Sequence, residues 1–178
     1  MAHHRSRKFN TGDTYPEQNL DNDLCQAVVT QGGKTVWMRG QCPQNLDDAK
    51  NIESHDPVEQ THKVMQNIQQ LVTEVGGEMA HVVKLVVYIT DIRHREAVYR
   101  TMGEYIKGVH PVCTGLVVQG LARPEWLVEI DATAVIPEET RTRPFLLSRD
   151  ARRPASSEWR SLLPRQRWRR DAPMHGPA

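Results

Sequence analysis

The stretch that most constrains the fold of this 178-residue chain is Val112–Ile136, which reads VCTGLVVQGLARPEWLVEIDATAVI. It contains two runs of β-branched and aliphatic residues, Cys113–Val118 and Leu127–Val135. Gly120 and Pro124 lie between them and break any regular structure. The stretch therefore predicts two strands joined by a turn.

The second of these strands alternates so that its two faces differ in chemistry. Successive side chains of a strand point to opposite faces. One face is wholly apolar and is predicted to lie in the core, whereas the other carries two carboxylates in an otherwise hydrophobic strand. Such a conflict between pattern and chemistry indicates a functional position. The apolar set is Val128, Ile130, Ala132 and Ala134, and the opposite set is Leu127, Glu129, Asp131 and Thr133.

The rest of the chain predicts three more strands and two helices. Asp56 is a suitable N-cap, Pro57 suits a first helical position, and Gly76 ends the helix that follows. Gln31–Lys34 (QGGK) has the composition of a hairpin turn between the first two strands. The strands are predicted over Asp23–Thr30, Thr35–Arg39 and His81–Thr90, and the second helix runs from Asp91 to about Lys107.

The resulting order is β-β-α-β-α-β-β, an α+β fold with one sheet and both helices on one face. The other face of the sheet carries Trp37, and nothing in a single copy is left to cover it. We therefore expect the chain to associate with copies of itself through that face, with closed symmetry.

Composition divides the chain into three parts. Only 38% of the residues are hydrophobic, which is low for a chain that is folded throughout. Residues 1–23 are polar and predict a loose N-terminal arm, residues 24–139 predict the folded domain, and residues 140–178 predict a disordered tail. That tail holds ten arginines, no lysine and three acidic residues. Either it contacts nucleic acid or an anionic membrane through Arg165–Arg170, or it has no selected role.

The remaining composition excludes several classes of protein. The N-terminus lacks the apolar segment of a secretory signal, and no apolar run approaches the roughly 20 residues of a membrane span. Three widely spaced cysteines do not suggest a disulfide framework, and neither they nor the histidines show metal-ligand spacing. The sequence thus predicts a cytoplasmic protein with no metal.

Taken together, these stretches resemble the Rid/YjgF family, whose older label is endoribonuclease L-PSP. The resemblance covers roughly residues 24–137, in order and with matching spacings. The stretches that carry it are QAVV at Gln26–Val29, RGQCPQN at Arg39–Asn45, the helix from Gln60 to Ile68, GGEMAHVVKLVVYITD at Gly76–Asp91, Tyr105 with Pro111–Thr114, and LARPEWLVEIDATAV at Leu121–Val135.

The resemblance implies a chorismate-mutase-like fold that assembles as a homotrimer, with a small-molecule site in each cleft between subunits. It implies hydrolysis of reactive imines or enamines, which releases ammonia and a 2-keto acid without metal or organic cofactor. Two of the family's site residues match: Gly40 is the glycine whose backbone faces the ligand, and Glu129 is the glutamate that positions the hydrolytic water.

Three positions depart from the family pattern. Cys113 stands where the family has the arginine that binds a substrate carboxylate, beside the matching Thr114. Leu24 replaces a tyrosine, and Tyr99 replaces an asparagine of the second helix. A thiol cannot replace a fixed bidentate cation. Arg39 and Arg123 are the residues that the sequence offers as substitutes for the missing charge.

Two roles remain open for each of the central residues. Cys113 is either a nucleophile, with Glu129 as its acid/base, or a small buried filler. Glu129 is either catalytic or a salt-bridged structural carboxylate. The chain is accordingly predicted to be a cofactor-free hydrolase or deaminase, or else a non-catalytic ligand-binding or chaperone-like protein. An endoribonuclease ranks last, because the folded part offers neither a histidine pair nor a basic groove.

Overall fold

The computed structural model describes residues 3–138, where the predicted alternation of strands and helices is confirmed and one strand is added at the N-terminus. Three short 3-10 turns, Pro16–Gln18, Met79–His81 and Ile92–His94, lie between the longer elements. The predicted tail at residues 140–178 lies outside the described residues. The strands are β1 His4–Asn10, β2 Asp23–Val29, β3 Lys34–Gln41, β4 Val82–Ile89, β5 Val112–Val117 and β6 Val128–Ile136, and the helices are α1 Thr11–Thr14, α2 Pro57–Glu74 and α3 Arg95–Tyr105.

The long helix α2 begins where its capping residues predict. The side chain of Asp56 accepts a hydrogen bond from the backbone N–H of Val58 at 2.9 Å, and Pro57 opens the helix. Its inward face packs against α3 and the sheet, so that both helices cover the same sheet face. The fully buried apolar residues of α2 are Val64, Met65, Ile68 and Val72.

The main sheet has four strands in the order β3-β6-β4-β5. Strands β4 and β5 are parallel and are connected by α3, while the other two pairings are antiparallel. The last strand of the described residues, β6, therefore lies inside the sheet. Its apolar set is buried as predicted: Val128, Ile130, Ala132 and Ala134 are at most 2% exposed.

Two predicted strand pairings are wrong. Strand β2 pairs with β1 rather than with β3, so the turn at Gly32 and Gly33 joins strands that do not form a hairpin. Strand β4 lies between β5 and β6, so the two strands of the Val112–Ile136 stretch are not neighbours. Both glycines do adopt the positive φ of a turn, 64° and 87°. The sequence thus predicted the turn correctly from its glycines, but it predicted the wrong neighbours for the strands in the sheet.

The N-terminal segment is more ordered than the predicted loose arm. Strand β1 pairs with β2 over its whole length, from His4 opposite Val29 to Asn10 opposite Asp23. Arg5 fastens it to the main sheet. Its Nη2 donates to the carbonyl oxygens of Ala80 at 2.8 Å and Val82 at 3.1 Å, and its Nε donates to the carbonyl oxygen of Val109.

The second face of the four-stranded sheet, hereafter the open face, is not covered by other elements of the described chain. Trp37 on β3 is 80% exposed there, opposite Thr133 on β6. Farther along, Glu129 on β6 pairs with Tyr88 on β4, and both are half-buried. Among the described residues, no helix is long and apolar enough to span a membrane.

Candidate functional site

The open face holds a group that we call the carboxylate cluster: Arg39, Gly40, Cys42 and Glu129. An irregularity in β3 creates it. Met38 pairs with Ala132 and Gln41 with Ile130, so β3 uses one more residue than β6 over this interval. The bulge brings the backbone of Gly40 against Glu129. A Cβ at Gly40 would lie 1.9 Å from Oε1 of Glu129, so only glycine leaves this space to the carboxylate.

Helix α2 fixes both chain segments that form the cluster, through two buried amide side chains. Nδ2 of Asn67 donates to the carbonyl oxygens of Cys42 at 3.2 Å and Gln44 at 2.8 Å. Oε1 of Gln60 accepts from the backbone N–H of Leu127 at 2.8 Å, at the entry to β6. The segment after β3 and the start of β6 are thus held to one rigid helix.

The surroundings of Glu129 are polar and charged. Burial, together with the negative charge of Glu129 and its hydrogen bond, raises the pKa of the Cys42 thiol to about 12, while Arg39 opposes this shift. The hydroxyl of Tyr88 donates to Oδ2 of Asp131 at 2.9 Å, which raises the pKa of Tyr88. Cys42 therefore keeps its proton at neutral pH and is available to donate it to a carboxylate oxygen.

A second group, which we call the thiol cluster, lies on the helix side of the sheet and consists of Arg95, Tyr99, Cys113 and Gly115. Tyr99 is buried against β5, where a Cβ at Gly115 would lie 1.9 Å from its hydroxyl oxygen. Burial raises the pKa of Cys113 to about 11, and a hydrogen bond from Tyr99 and the charge of Arg95 partly oppose this shift. Burial also raises the pKa of Tyr99.

Cys113 and Glu129 are not brought together, contrary to the sequence interpretation that paired them as nucleophile and acid/base. Cys113 pairs with the core residue Leu85 of β4, whereas Glu129 pairs with Tyr88 of the same strand. Side chains alternate between the two faces along a strand, and Leu85 and Tyr88 are three positions apart, so they point to opposite faces. The thiol of Cys113 and the carboxylate of Glu129 therefore lie on opposite sides of the sheet. Within one chain, the thiol and the carboxylate therefore cannot act on the same substrate atom.

The other predicted site residues are scattered. Thr114 is exposed and pairs with Val86, which places it on the open face. Leu24 is 8% exposed and belongs to the hydrophobic core. Arg123 lies in the loop before β6, 3.8 Å from Glu125 in an ion pair, and its guanidinium stands 5.7 Å from the ring of Trp126. Of the two substitutes for the missing cation, Arg39 belongs to the carboxylate cluster through Cys42, which hydrogen-bonds to both Arg39 and Glu129.

Sequence reasoning did not select Cys42, Tyr88 and Arg95 as site residues. Cys42 lies inside the motif Arg39–Asn45, two residues after Gly40, which is a usable signal. Tyr88 lies in a nearly continuous apolar run, and its position opposite Glu129 depends on the pairing of β4 with β6. Arg95 lies in a charged segment with no distinguishing pattern.

The carboxylate cluster has the components of a water-activating site. A half-buried carboxylate is held against a glycine backbone, with a guanidinium and a protonated thiol nearby. Such a carboxylate can accept a proton from water during attack on an electrophilic carbon. Among residues 3–138, no three His, Cys, Asp or Glu side chains are gathered to hold a metal ion.

Comparisons with known proteins agree on one family. The model of the family described as "Endoribonuclease L-PSP" matches residues 21–136. The chain is 32% identical to Protein DfrA of Myxococcus xanthus over 110 residues, which is 62% of this chain and 82% of that protein. It is 28% identical to a RutC family protein of Pyrococcus abyssi over 102 residues, 57% of this chain and 79% of the other. The crystal structure of the Rid family protein YyfB of Yersinia pestis, described as of unknown function, superimposes with a TM-score of 0.61 at 27% identity, over 76% of this chain and all of that one.

Proposed function

The chain belongs to the endoribonuclease L-PSP family, which includes the Rid proteins, and from that premise we propose that it is a hydrolase of C–N bonds in small imines, enamines or related nitrogenous metabolites. The observation that carries this proposal is the carboxylate of Glu129, held against the backbone of Gly40 on the open face. Glu129 is half-buried, which suits a group that must contact both water and a small ligand.

Water is the only co-reactant that this reaction needs. Glu129 accepts a proton from a water molecule as the water oxygen adds to the imine carbon, and the electrons of the C=N double bond move to nitrogen, which takes that proton back from Glu129. In the resulting carbinolamine, Glu129 accepts the hydroxyl proton and passes it to the amine nitrogen as the C=O double bond forms and the C–N bond breaks. Ammonia leaves and a carbonyl compound remains. The thiol of Cys42 and the guanidinium of Arg39 supply hydrogen-bond donors beside the carboxylate.

In our proposal the complete site forms between two copies of the chain, within a homotrimer. The carboxylate cluster and the thiol cluster lie on opposite sides of one sheet, so a ligand that meets both must touch two copies. The exposure of Trp37 on the open face supports association there, because a tryptophan that is 80% exposed is a strong candidate for an interface.

A second candidate function is binding of a small ligand without turnover. The observation that favours it is Cys113, whose thiol is shielded on the helix side at the position of the family's arginine. Loss of a fixed cation removes a means of orienting the substrate, and orientation supplies a large part of an enzymatic rate. A cleft that retains Glu129 but cannot orient its ligand would bind without turnover.

The decisive experiment measures ammonia release from imines, enamines, amides and carbamoyl compounds by the wild type and by Glu129→Gln. The substitution keeps the shape of the side chain and removes its ability to accept a proton. We expect the rate to fall by roughly 10²- to 10⁴-fold. The matched control is Glu104→Gln, which changes an exposed carboxylate on α3.

The two candidate functions give different results. Ammonia release that is lost in Glu129→Gln and kept in Glu104→Gln establishes hydrolysis. If no compound is turned over while one still binds, the binding function is correct. If turnover is equal in wild type and Glu129→Gln, the assignment of Glu129 is wrong.

A further inference from the structure

A cavity of about 450 Å³ lies at the end of the sheet where β4 and β5 begin and β6 ends. Arg5 of β1 and the preceding His3 line it on one side, and His81 lines it from the turn before β4. Glu129 is near the other end of the sheet, because it precedes Ile136 by seven positions on β6, roughly 23 Å along a strand. Within one chain, the cavity is therefore separate from the carboxylate cluster.

Arg5 provides a fixed cation in this cavity, and its anchors are uncharged. Its Nε donates to the carbonyl oxygen of Val109, and its Nη2 donates to those of Ala80 and Val82. A guanidinium has five N–H donors, so the two on Nη1 remain. Among residues 3–138, Nη1 makes no hydrogen bond, and no carboxylate lies within 4.0 Å of the guanidinium nitrogens. The guanidinium is thus held in place while two of its donors stay available.

The charge of Arg5 is partly removed from water. Its side chain is half-buried, and burial lowers its pKa from the ordinary value, whereas Arg7 of the same strand is exposed. A cation that has lost part of its hydration without gaining a counter-ion favours binding of an anion, because the anion supplies the interactions that water no longer provides.

His81 supplies a second donor to the same cavity. Its Nδ1 accepts a hydrogen bond from the backbone N–H of Glu78 at 3.1 Å, so the neutral ring carries its proton on Nε2. Among the described residues, Glu78 is the only carboxylate of the lining, and it is 71% exposed. Its side chain accepts from the backbone N–H of His81, and its Oε1 lies 3.7 Å from Nε2, too far for a hydrogen bond. The Nε2 donor is therefore available to a ligand.

We propose that this cavity binds the phosphate group of a small phosphorylated metabolite, with Nη1 of Arg5 and Nε2 of His81 donating to its oxygens. A phosphate monoester carries roughly −1.5 to −2 charges at neutral pH and presents three acceptor oxygens, which suits donors that come from two different elements. The cavity volume of about 450 Å³ lies within the range of roughly 300–1,000 Å³ that is typical of small-molecule sites. The site goes beyond the proposed hydrolysis and does not depend on it.

The test is an NMR titration of the full chain with inorganic phosphate and ribose 5-phosphate, and ribose serves as the neutral probe. The side-chain signals of Arg5 and His81 should shift saturably with both phosphates and not with ribose. In Arg5→Gln the dissociation constants should rise about 10- to 100-fold, because hydrogen bonds between charged groups are lost. Arg7→Gln is the matched control on the same strand and should bind like the wild type.

A second variant separates binding from the attachment of β1, since Arg5 also fastens that strand. His81→Leu removes the Nε2 donor and leaves Arg5 unchanged, so the dissociation constants should rise about 10-fold. The matched control is His94→Leu, which changes a half-buried histidine in the turn Ile92–His94, outside the cavity.

Three results would overturn the proposal: no saturable binding of either phosphate by the wild type, equal binding of ribose, or wild-type affinity in Arg5→Gln or in His81→Leu. Binding of a single-stranded oligonucleotide without binding of either small phosphate would overturn it as well, because the surface would then recognise a nucleic acid. The outcome is independent of ammonia release and of Glu129→Gln, so either proposal can fail while the other stands.

Discussion

The carboxylate cluster and the thiol cluster use the same packing device for different chemistry. In each, a glycine on a strand makes room for one oxygen, and an added Cβ would approach that oxygen to 1.9 Å. At Gly40 the oxygen belongs to a carboxylate on the open face. At Gly115 it belongs to a hydroxyl that is buried beside a thiol. In the proposed function the reactive group is therefore the carboxylate of the open face, whereas the same device on the helix side buries a hydroxyl.

Among the substitutions that test this contrast, Gly40→Ala should cause the largest loss of ammonia release. The added methyl group must displace Oε1, Cδ and Cγ of Glu129, which would lie 1.9, 2.7 and 2.9 Å from it, and this side chain is flexible and only half-buried. We expect ammonia release to fall by about 10²-fold or more, since small displacements of a reacting group cost that much, while the melting temperature changes little. The matched control is Gly120→Ala, because a Cβ at Gly120 would meet nothing within 4 Å. Wild-type activity in Gly40→Ala would contradict the role assigned to the carboxylate cluster.

Trp37→Glu tests whether the open face is an interface between copies. The substitution replaces a large exposed apolar side chain with a charge, so it should leave the fold intact and weaken self-association. A buried interface tryptophan typically contributes at least about 2 kcal/mol, which is about a 30-fold change in the association constant. Sedimentation velocity over a range of concentrations measures the change. Lys84→Glu, on the same face but at an already charged position, is the control. Unchanged assembly in Trp37→Glu would exclude this part of the open face from the interface.

Gly115→Ala should affect stability more than Gly40→Ala does. The methyl group meets the hydroxyl and ring of Tyr99, which is 7% exposed and has little room to move. Such overpacking costs about 1–3 kcal/mol in the free energy of unfolding, measured by urea denaturation. Gly120→Ala again serves as the control. If the two substitutions at Gly40 and Gly115 destabilise the chain equally, the contrast between an adaptable carboxylate and a fixed hydroxyl is wrong.

Cys113→Ser should have the smallest effect. The pKa of the thiol is raised from its ordinary 9.0 to about 11, so the folded chain keeps it protonated at neutral pH, and a protonated thiol is a poor nucleophile. Ammonia release should stay near the wild-type level. In the folded protein, the alkylation rate of Cys113 should rise with pH through about 11 rather than through 9. Abolished turnover in the serine variant, or fast alkylation at neutral pH, would restore the nucleophile interpretation.

The sequence predicted those features that depend on neighbouring residues. The cap at Asp56, the apolar face of α2 and the alternation of β6 follow from periods of 3.6 and 2, and all three are confirmed. The α+β class followed from the order of the predicted elements, and the particular fold followed from a resemblance spread over the whole domain. The link between Gly40 and Glu129 was available only through that resemblance, because the two residues are 89 positions apart in the chain.

What the sequence could not give was the neighbour of each strand. Two consecutive strands with a turn between them favour a hairpin. Neither the strands joined at Gly32–Gly33 nor the pair β5 and β6 form one, because the members of each pair are not hydrogen-bonded to each other. Because β4 enters between β5 and β6, the side of the sheet that Cys113 occupies is set by its register with Leu85, far away in sequence. The polar composition of residues 4–10 concealed a strand whose stability comes from pairing with β2 and from the three carbonyl contacts of Arg5.

The inner position of β6 has a consequence for how the protein is made. A ribosome delivers β3 and β4 long before β6, yet in the sheet those two strands are joined only through β6, which hydrogen-bonds to both. During synthesis the apolar faces of α2 and β4 therefore stay partly exposed to solvent until β6 has been made. We expect nascent chains released before Ile136 to be captured by chaperones or degraded, and those released after it to fold.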